Sequence, residues 1–238
     1  MSRTTVSICT PTYNRRKFIP YLIKCVQNQS YPQQFIEWIV LDDGTDKVED
    51  LFKNIPNVVY MRSEEKLPIG KKRNMLNDKA KNEIIIYFDD DDYYPPDRIK
   101  HAVTMLNAQK QYLIAGSSML YLYYSHLDLI CSFGPYNRNH ATAGTFAFRR
   151  ELLKQCRFDD NATFAEEAQF LKKFSIPMYQ LNPLKTIIVL SHDNNTFDKK
   201  KLLNNENKMM KKTKLKLKKL VKNKDSYNFY KSIHEMAN

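Results

Sequence analysis

Five apolar residues, IIIYF at 84–88, run straight into four aspartates, Asp89, Asp90, Asp91 and Asp92, and then into Tyr93-Tyr94-Pro95-Pro96. A run this short and this rich in β-branched side chains reads as a strand buried on both faces, which belongs in a parallel sheet covered by helices on each side. Four adjacent carboxylates repel one another, and placing them at the end of a buried strand raises that cost unless a cation is shared. Oxygen-rich clusters select hard divalent ions, Mg²⁺ or Mn²⁺, which commonly hold phosphates in turn. The alternative is an exposed acidic loop capping the next helix. The Tyr-Tyr-Pro-Pro flank leaves the cluster little freedom to splay in that way.

The alternation of strand and helix extends outward from this run. Residues 5–10 read as a strand that Pro11-Thr12-Tyr13-Asn14 breaks, and Phe18, Tyr21, Leu22, Cys25 and Val26 then fall at helical spacing. A second strand at 35–41 ends in Asp42-Asp43-Gly44. A short helix at 48–53, a third strand at 57–61, a helix at 71–81, the strand at 83–88 and a helix at 97–108 complete a Rossmann-like α/β half. Ligands of open sheets bind beyond the carboxyl ends of the strands, so the three polar clusters should converge in space. Beyond Tyr112 the pattern is more mixed. Strands are expected within 112–124 and at 128–133, a strand running into a helix at 144–155, a helix at 166–174 and a last strand at 185–192.

Composition limits what else the chain can be. Its 238 residues, 42% of them hydrophobic, suffice for one large domain with an appendage. No apolar run approaches the roughly 20 residues that cross a bilayer, and the N-terminal stretch is too polar for a signal peptide, so a cytoplasmic protein is expected. Cys9, Cys25, Cys131 and Cys156 are widely spread with no CxxC pair, which predicts buried free thiols rather than disulfides or a zinc site. The net charge of +12 is concentrated at 199–224, where twelve lysines face one acid. Such a segment attracts nucleic acid, an anionic membrane or acidic substrates alike.

The ordered motifs SICTPTYNR, WIVLDDGTD and IGKKRNMLNDKAKNEIIIYFDDDD resemble the nucleotide-sugar-binding half of family-2 glycosyltransferases with the GT-A fold. The resemblance covers most of residues 5–192. It implies a GT-A catalytic domain at 1–196, with a nucleotide-sugar-binding half at 1–111, an acceptor half at 112–196 and a lysine-rich helical extension at 197–238. It further implies that Pro11, Thr12 and Tyr13 line the base and ribose pocket, and that Asp42 or Asp43 accepts the imino N–H of a uracil-like base. Arg73, with Lys71 or Lys72 as substitutes, would approach the phosphates. Asp89, Asp90 and Asp91 supply the Asp-X-Asp motif, Asp89 near the ribose or metal-bound water and Asp91 on the metal. His192, after the last strand, is placed to join Asp91 on that ion.

In the acceptor half the family carries a Glu-Asp pair whose second acid is the catalytic base. This chain has Glu166-Glu167 instead. The role passes to Glu167, with Glu166 as the other candidate because a glutamate reaches about one methylene farther. The implied activity is metal-dependent, inverting transfer from a nucleotide diphosphate sugar, with a UDP-sugar favoured, to a hydroxyl of a glycan, lipid or protein. The implied cofactor is Mn²⁺ or Mg²⁺, and the basic segment suits peripheral contact with an anionic membrane or an acidic acceptor. Two rivals come from other classes. A nucleotidyltransferase would need a glycine-rich basic loop for its triphosphate, which the N-terminus lacks. A nucleic-acid-binding protein would leave the four aspartates unexplained, so no nucleic acid is expected.

Overall fold

The computed structural model describes residues 3–192, 195, 199–203 and 207–236. Its first half alternates strictly: β1 (Val6–Thr12), α1 (Ile19–Gln27), β2 (Ile36–Asp42), α2 (Glu49–Phe52), β3 (Val58–Arg62), α3 (Ile69–Lys79), β4 (Ile84–Tyr87) and α4 (Arg98–Ala108). The second half adds β5 (Ile114–Gly116), β6 (Leu120–Tyr124), β7 (Leu129–Phe133), β8 (Ala147–Arg149), α5 (Glu167–Phe170), β9 (Met178–Gln180) and β10 (Ile188–Ser191). The lysine-rich segment contributes a strand, β11 (Met210–Lys212), as well as helices α6 (Leu217–Leu220) and α7 (Lys224–Ser232).

Seven strands form one mixed sheet in the order β3-β2-β1-β4-β8-β5-β9, and a second sheet runs β10-β6-β7-β11. β1, β2, β3 and β4 are mutually parallel, while β8 lies antiparallel to both β4 and β5. The unbroken apolar run of β4 follows from burial on both faces. Ile84, Ile86 and Phe88 enter the core on the side of α1 and α4, while Ile85 and Tyr87 enter the core on the side of Leu76 from α3.

Three local features differ from the sequence expectation, the first being that the lysine-rich segment, expected to be helical, contributes β11, which pairs antiparallel with β7. β1 continues through Pro11 to Thr12, paired with β2 along its length, whereas its pairing with β4 stops at Cys9. Thr12 bonds toward β2 through its carbonyl and Cys9 toward β4, so Pro11 faces the side where β4 has already turned away, and its missing N–H breaks no ladder. The helix expected at 166–174 ends at Phe170, because Lys172, Lys173 and Phe174 all adopt positive φ, at 49°, 56° and 60°. All four cysteines are free and buried, as expected. Among the described residues no helix is long and apolar enough to cross a membrane.

Candidate active site

The parallel order places the ends of β2, β1 and β4 side by side, and the three polar clusters meet there. Asn14 takes φ 53° just after β1, and its Oδ1 accepts N–H groups of Thr45 at 2.8 Å and Asp46 at 3.1 Å. That left-handed turn, which asparagine tolerates, ties the PTYN and DDGTD segments together. Pro11 and Thr12 are buried beneath it, and the half-buried Tyr13 ring carries the Lys66 ammonium 4.4 Å from its centroid.

Asp42 and Asp43 are committed to their surroundings. Asp42 accepts the N–H of Gly44 at 2.8 Å and of Val48 at 2.9 Å, and also takes the Tyr60 hydroxyl. Asp43 accepts the Leu67 N–H and the Lys72 ammonium, both at 2.7 Å, and its side chain is fully buried. Of the two lysines that precede Arg73, Lys72 turns inward while Lys71 stays exposed.

The four aspartates after β4 divide into separate tasks. Asp92 turns back into the fold, where its carboxyl accepts the Leu190 N–H at 2.9 Å and fastens the loop to β10; burial raises its pKa well above the ordinary carboxylate range. Asp89 accepts a bond from Arg73 at 3.2 Å. A Cβ on Gly144 would lie 2.6 Å from Asp89 Oδ2, so a larger residue here would displace the Asp89 carboxylate. Asp90 and Asp91 share the Arg15 guanidinium at 3.7 and 3.6 Å. Burial, followed by the Asp91 charge, pushes Asp90 up to about 7. Burial also acts to raise Asp91, but the His192 hydrogen bond and the charges of Lys199 and Arg15 hold it below the ordinary value.

His192 follows β10, with Nε2 3.0 Å from Asp91 Oδ2, and Asn195 Nδ2 lies 3.3 Å from the same oxygen. Among the described residues no three His, Cys, Asp or Glu side chains gather as a metal cage. The Asp91–His192 pair nevertheless fits a six-coordinate Mn²⁺ or Mg²⁺, because such ions are held by one or two protein ligands with substrate phosphates and water filling the rest.

Across the site, Arg73 links the two halves. Its Nε donates to Glu166 at 2.8 Å while its other arm reaches Asp89, and its guanidinium lies over the Tyr87 ring at 4.7 Å. The neighbouring Asn74 donates to Phe158 O at 2.9 Å and to Asp160 at 2.6 Å, holding the segment that leads into α5. Glu167 accepts the Ala143 N–H at 2.9 Å. Burial, and then the Glu166 charge, pushes it up to about 7.

The structure therefore gathers Thr12, Asp89, Asp90, Asp91, Arg73, Glu166, Glu167 and His192 at one end of the sheet, with Pro11 and Tyr13 on its rim and Asp42 and Asp43 locked into the adjoining turn. Sequence reasoning passed over Arg15, Asn195 and Phe18. Arg15 had a signal: four clustered acids call for a fixed cation, and Arg15 is the first basic residue after β1.

A family model described as glycosyl transferase family 2 matches residues 7–129. The chain is 29% identical over 107 residues to poly(ribitol-phosphate) beta-N-acetylglucosaminyltransferase TarS of Staphylococcus aureus, covering 42% of this chain and 18% of that protein. It is 33% identical over 94 residues to the GalNAc(5)-diNAcBac-PP-undecaprenol beta-1,3-glucosyltransferase of Campylobacter jejuni, covering 37% and 29%. The chain thus spans less than a third of these relatives. Among solved structures, S. aureus TarS 1-349 in complex with UDP-GlcNAc superposes with TM-score 0.61 at 21% identity, over 80% of this chain and 60% of that one. Mannosyltransferase PcManGT from Pyrobaculum calidifontis, in complex with GDP-Man and Mn²⁺, superposes with TM-score 0.65 at 18% identity, over 82% and 59%. The shared architecture is the GT-A fold.

Proposed function

This chain belongs to glycosyl transferase family 2, and we propose that it transfers a sugar from a nucleotide diphosphate sugar, a UDP-sugar in the first instance, to an acceptor hydroxyl with inversion at the anomeric carbon. The observation that carries this reading is the Asp89–Arg73–Glu166 chain of contacts, which fixes the aspartate end of β4 against the Glu166–Glu167 pair. A leaving-group site and a base held in one frame are what a single displacement requires.

Glu167 is the base in this reading. Glu166 is tied to Arg73, whereas Glu167 is held by backbone N–H groups and is pushed up to about 7, near the ideal for proton removal at neutral pH. It takes the proton of the acceptor hydroxyl as that oxygen attacks the anomeric carbon from the face opposite the diphosphate. Asp91 and His192, with Asp90 alongside, would hold Mn²⁺ or Mg²⁺, which when bound neutralises charge on the departing diphosphate. Arg15 and Arg73 add fixed positive charge on the same side. Tyr13 offers a ring for the base to stack on. Asp42 and Asp43 shape the pocket through the turn they hold, and an imino N–H reaches either carboxylate only if that turn opens.

The S. aureus neighbour solved with UDP-GlcNAc supports a UDP-sugar donor, and the P. calidifontis neighbour solved with GDP-Man and Mn²⁺ supports the metal while naming the competing base. The test is donor hydrolysis and thermal shift with UDP-GlcNAc and with GDP-Man, each with and without Mn²⁺, in wild type and Glu167→Gln. We expect stabilisation by one donor only when Mn²⁺ is present, and loss of about 10²–10⁴ in turnover for Glu167→Gln with the shift retained. Retained turnover in Glu167→Gln removes the base assignment, and a product of retained configuration removes inversion. A second reading concerns the acceptor side. Eleven of the twelve lysines between 199 and 224 are exposed, which suits contact with an anionic membrane or an anionic polymer. Co-sedimentation with anionic vesicles that survives Lys-to-Glu changes at 211, 212, 218 and 219 would remove the membrane option.

A further inference from the structure

A histidine that ligates a metal is normally oriented by a hydrogen bond from its other ring nitrogen to a carboxylate or carbonyl. His192 lacks that device among the described residues: its Nδ1 is buried with no hydrogen-bond partner there. Its Nε2 edge meets Asp91 at 3.0 Å and Asn195 Nδ2 at 2.8 Å, and on the Nδ1 side the support comes from the ring's face. Phe18, one residue before α1, lies 4.7 Å from the imidazole, centroid to centroid, at an interplanar angle of 40°. Phe18 also sits beneath the Arg15 guanidinium, 5.8 Å from the ring centroid. One aromatic ring thus touches both the histidine and the arginine that meet Asp91.

Phe18 is held in its turn by the C-terminal segment. Phe229 of α7 meets it edge to face at 5.6 Å and stacks on Tyr21 of α1. Around this contact Tyr230 packs against Tyr93, the Tyr93 hydroxyl donates to Leu220 O at 3.2 Å, and Lys24 pairs with Asp225 at 3.1 Å. Phe229 and Tyr230 are buried with Leu217, Val221 and Ile233 in the same core as β1 and β4. The ring contacts, at 3.6 to 5.7 Å between centroids, are of the kind that fix side-chain orientation as well as bury area.

We propose that α7 is a positioning element of the metal site: Phe229 fixes Phe18, and Phe18 fixes the His192 imidazole against Asp91, replacing the usual polar support by packing. The inference rests on the proposed function, since it needs His192 to be a ligand. It also gives the lysine-rich segment a second role, because the residues that anchor its lysines brace the site.

The test is Mn²⁺ binding in the presence of UDP, followed by the electron paramagnetic resonance signal of free Mn²⁺, in the full chain. Four proteins are compared: wild type, Phe229→Leu, His192→Ala and the double variant, with Phe229→Tyr as a conservative control. Phe229→Leu keeps apolar volume but removes the ring edge. It should weaken Mn²⁺ about tenfold, the effect seen when a supporting residue of a ligand is lost, while Phe229→Tyr stays near wild type. In the His192→Ala background Phe229→Leu should have no further effect. Unchanged Mn²⁺ affinity in a folded Phe229→Leu protein, or losses that simply multiply in the double variant, overturns the brace while leaving the metal reading standing. Equal Mn²⁺ affinity of His192→Ala and wild type overturns both.

Discussion

Two acidic clusters sit at the ends of β2 and β4, the strands that flank β1, and they are built in opposite ways. At the end of β2, Asp42 and Asp43 spend their carboxylates on backbone N–H groups, a tyrosine hydroxyl and one buried lysine. After β4, Asp90 and Asp91 face a guanidinium at 3.6–3.7 Å, longer than a hydrogen bond, and burial together with the Asp91 charge pushes Asp90 up to about 7. The first cluster is complete as it stands and builds a turn. In the second, one carboxyl of a buried adjacent pair is pushed to keep its proton while its neighbour stays ionised, which is the electrostatic pattern of a place that can receive a cation.

The largest effect that separates them is on turnover. Asp91→Ala should remove at least about three orders of magnitude of activity, because stabilisation of the leaving group is worth several kcal/mol. It should shift the melting temperature by only a few degrees, since relief of the repulsion on Asp90 offsets the lost contacts with His192 and Arg15. A large loss of stability in Asp91→Ala would mean that this cluster, too, is structural.

Stability is where the other cluster should respond. Asp43→Ala leaves the buried Lys72 ammonium and the Leu67 N–H without their acceptor, and breaking a buried pair in this way costs about 3–5 kcal/mol. Asp42→Ala strands two backbone N–H groups at the Gly44 turn and should cost about 2 kcal/mol. Denaturant unfolding measures both. If Asp43→Ala unfolds like wild type but no longer binds a uridine nucleotide, Asp43 belongs to base recognition and the contrast between the clusters disappears.

How far the chain announces this arrangement depends on whether each contact leaves a local trace. β1 to β4 and their helices are legible because a strand buried on two faces must be apolar throughout, and the polar clusters that follow must then line up. α3 is harder to read, since its buried face carries Lys72, Arg73, Asn74 and Asn77 beside Leu76. Lys72, Arg73 and Asn74 bury as partners of acids and carbonyls brought from elsewhere, and Asn77 accepts the Tyr87 hydroxyl, which hydrophobic periodicity does not register. The short α5 is illegible for a related reason, because its end is set by three left-handed residues that carry no glycine. Asp92 reads as one more metal-side acid until β10 arrives, almost a hundred residues later, to offer the Leu190 N–H. Phe18 looks like an ordinary core residue of α1, and only the return of the chain at Phe229 and His192 gives it a second task.

The smallest expected effect is the pH dependence of the metal-free fold. Asp90 and Glu167 are both pushed up to about 7, and Asp92 is raised as well, whereas unfolded carboxylates titrate near 4. Between about pH 4 and pH 7 the folded chain keeps protons that the unfolded chain has released, so raising pH through that window costs stability, and above about 7 the loss from Asp90 and Glu167 is complete. The metal-free protein should therefore melt several degrees higher at pH 6 than at pH 8, the size that about 1 kcal/mol from each of the two groups gives in a chain of this length. Asp90→Asn should reduce that difference by about half, leaving the share of Glu167, and Mn²⁺ with UDP should narrow it by neutralising the aspartate charge. Asp43→Ala should instead lower the melting curve at both pH values by a similar amount. A pH profile that Asp90→Asn leaves untouched would place the raised protons elsewhere and make the two clusters alike.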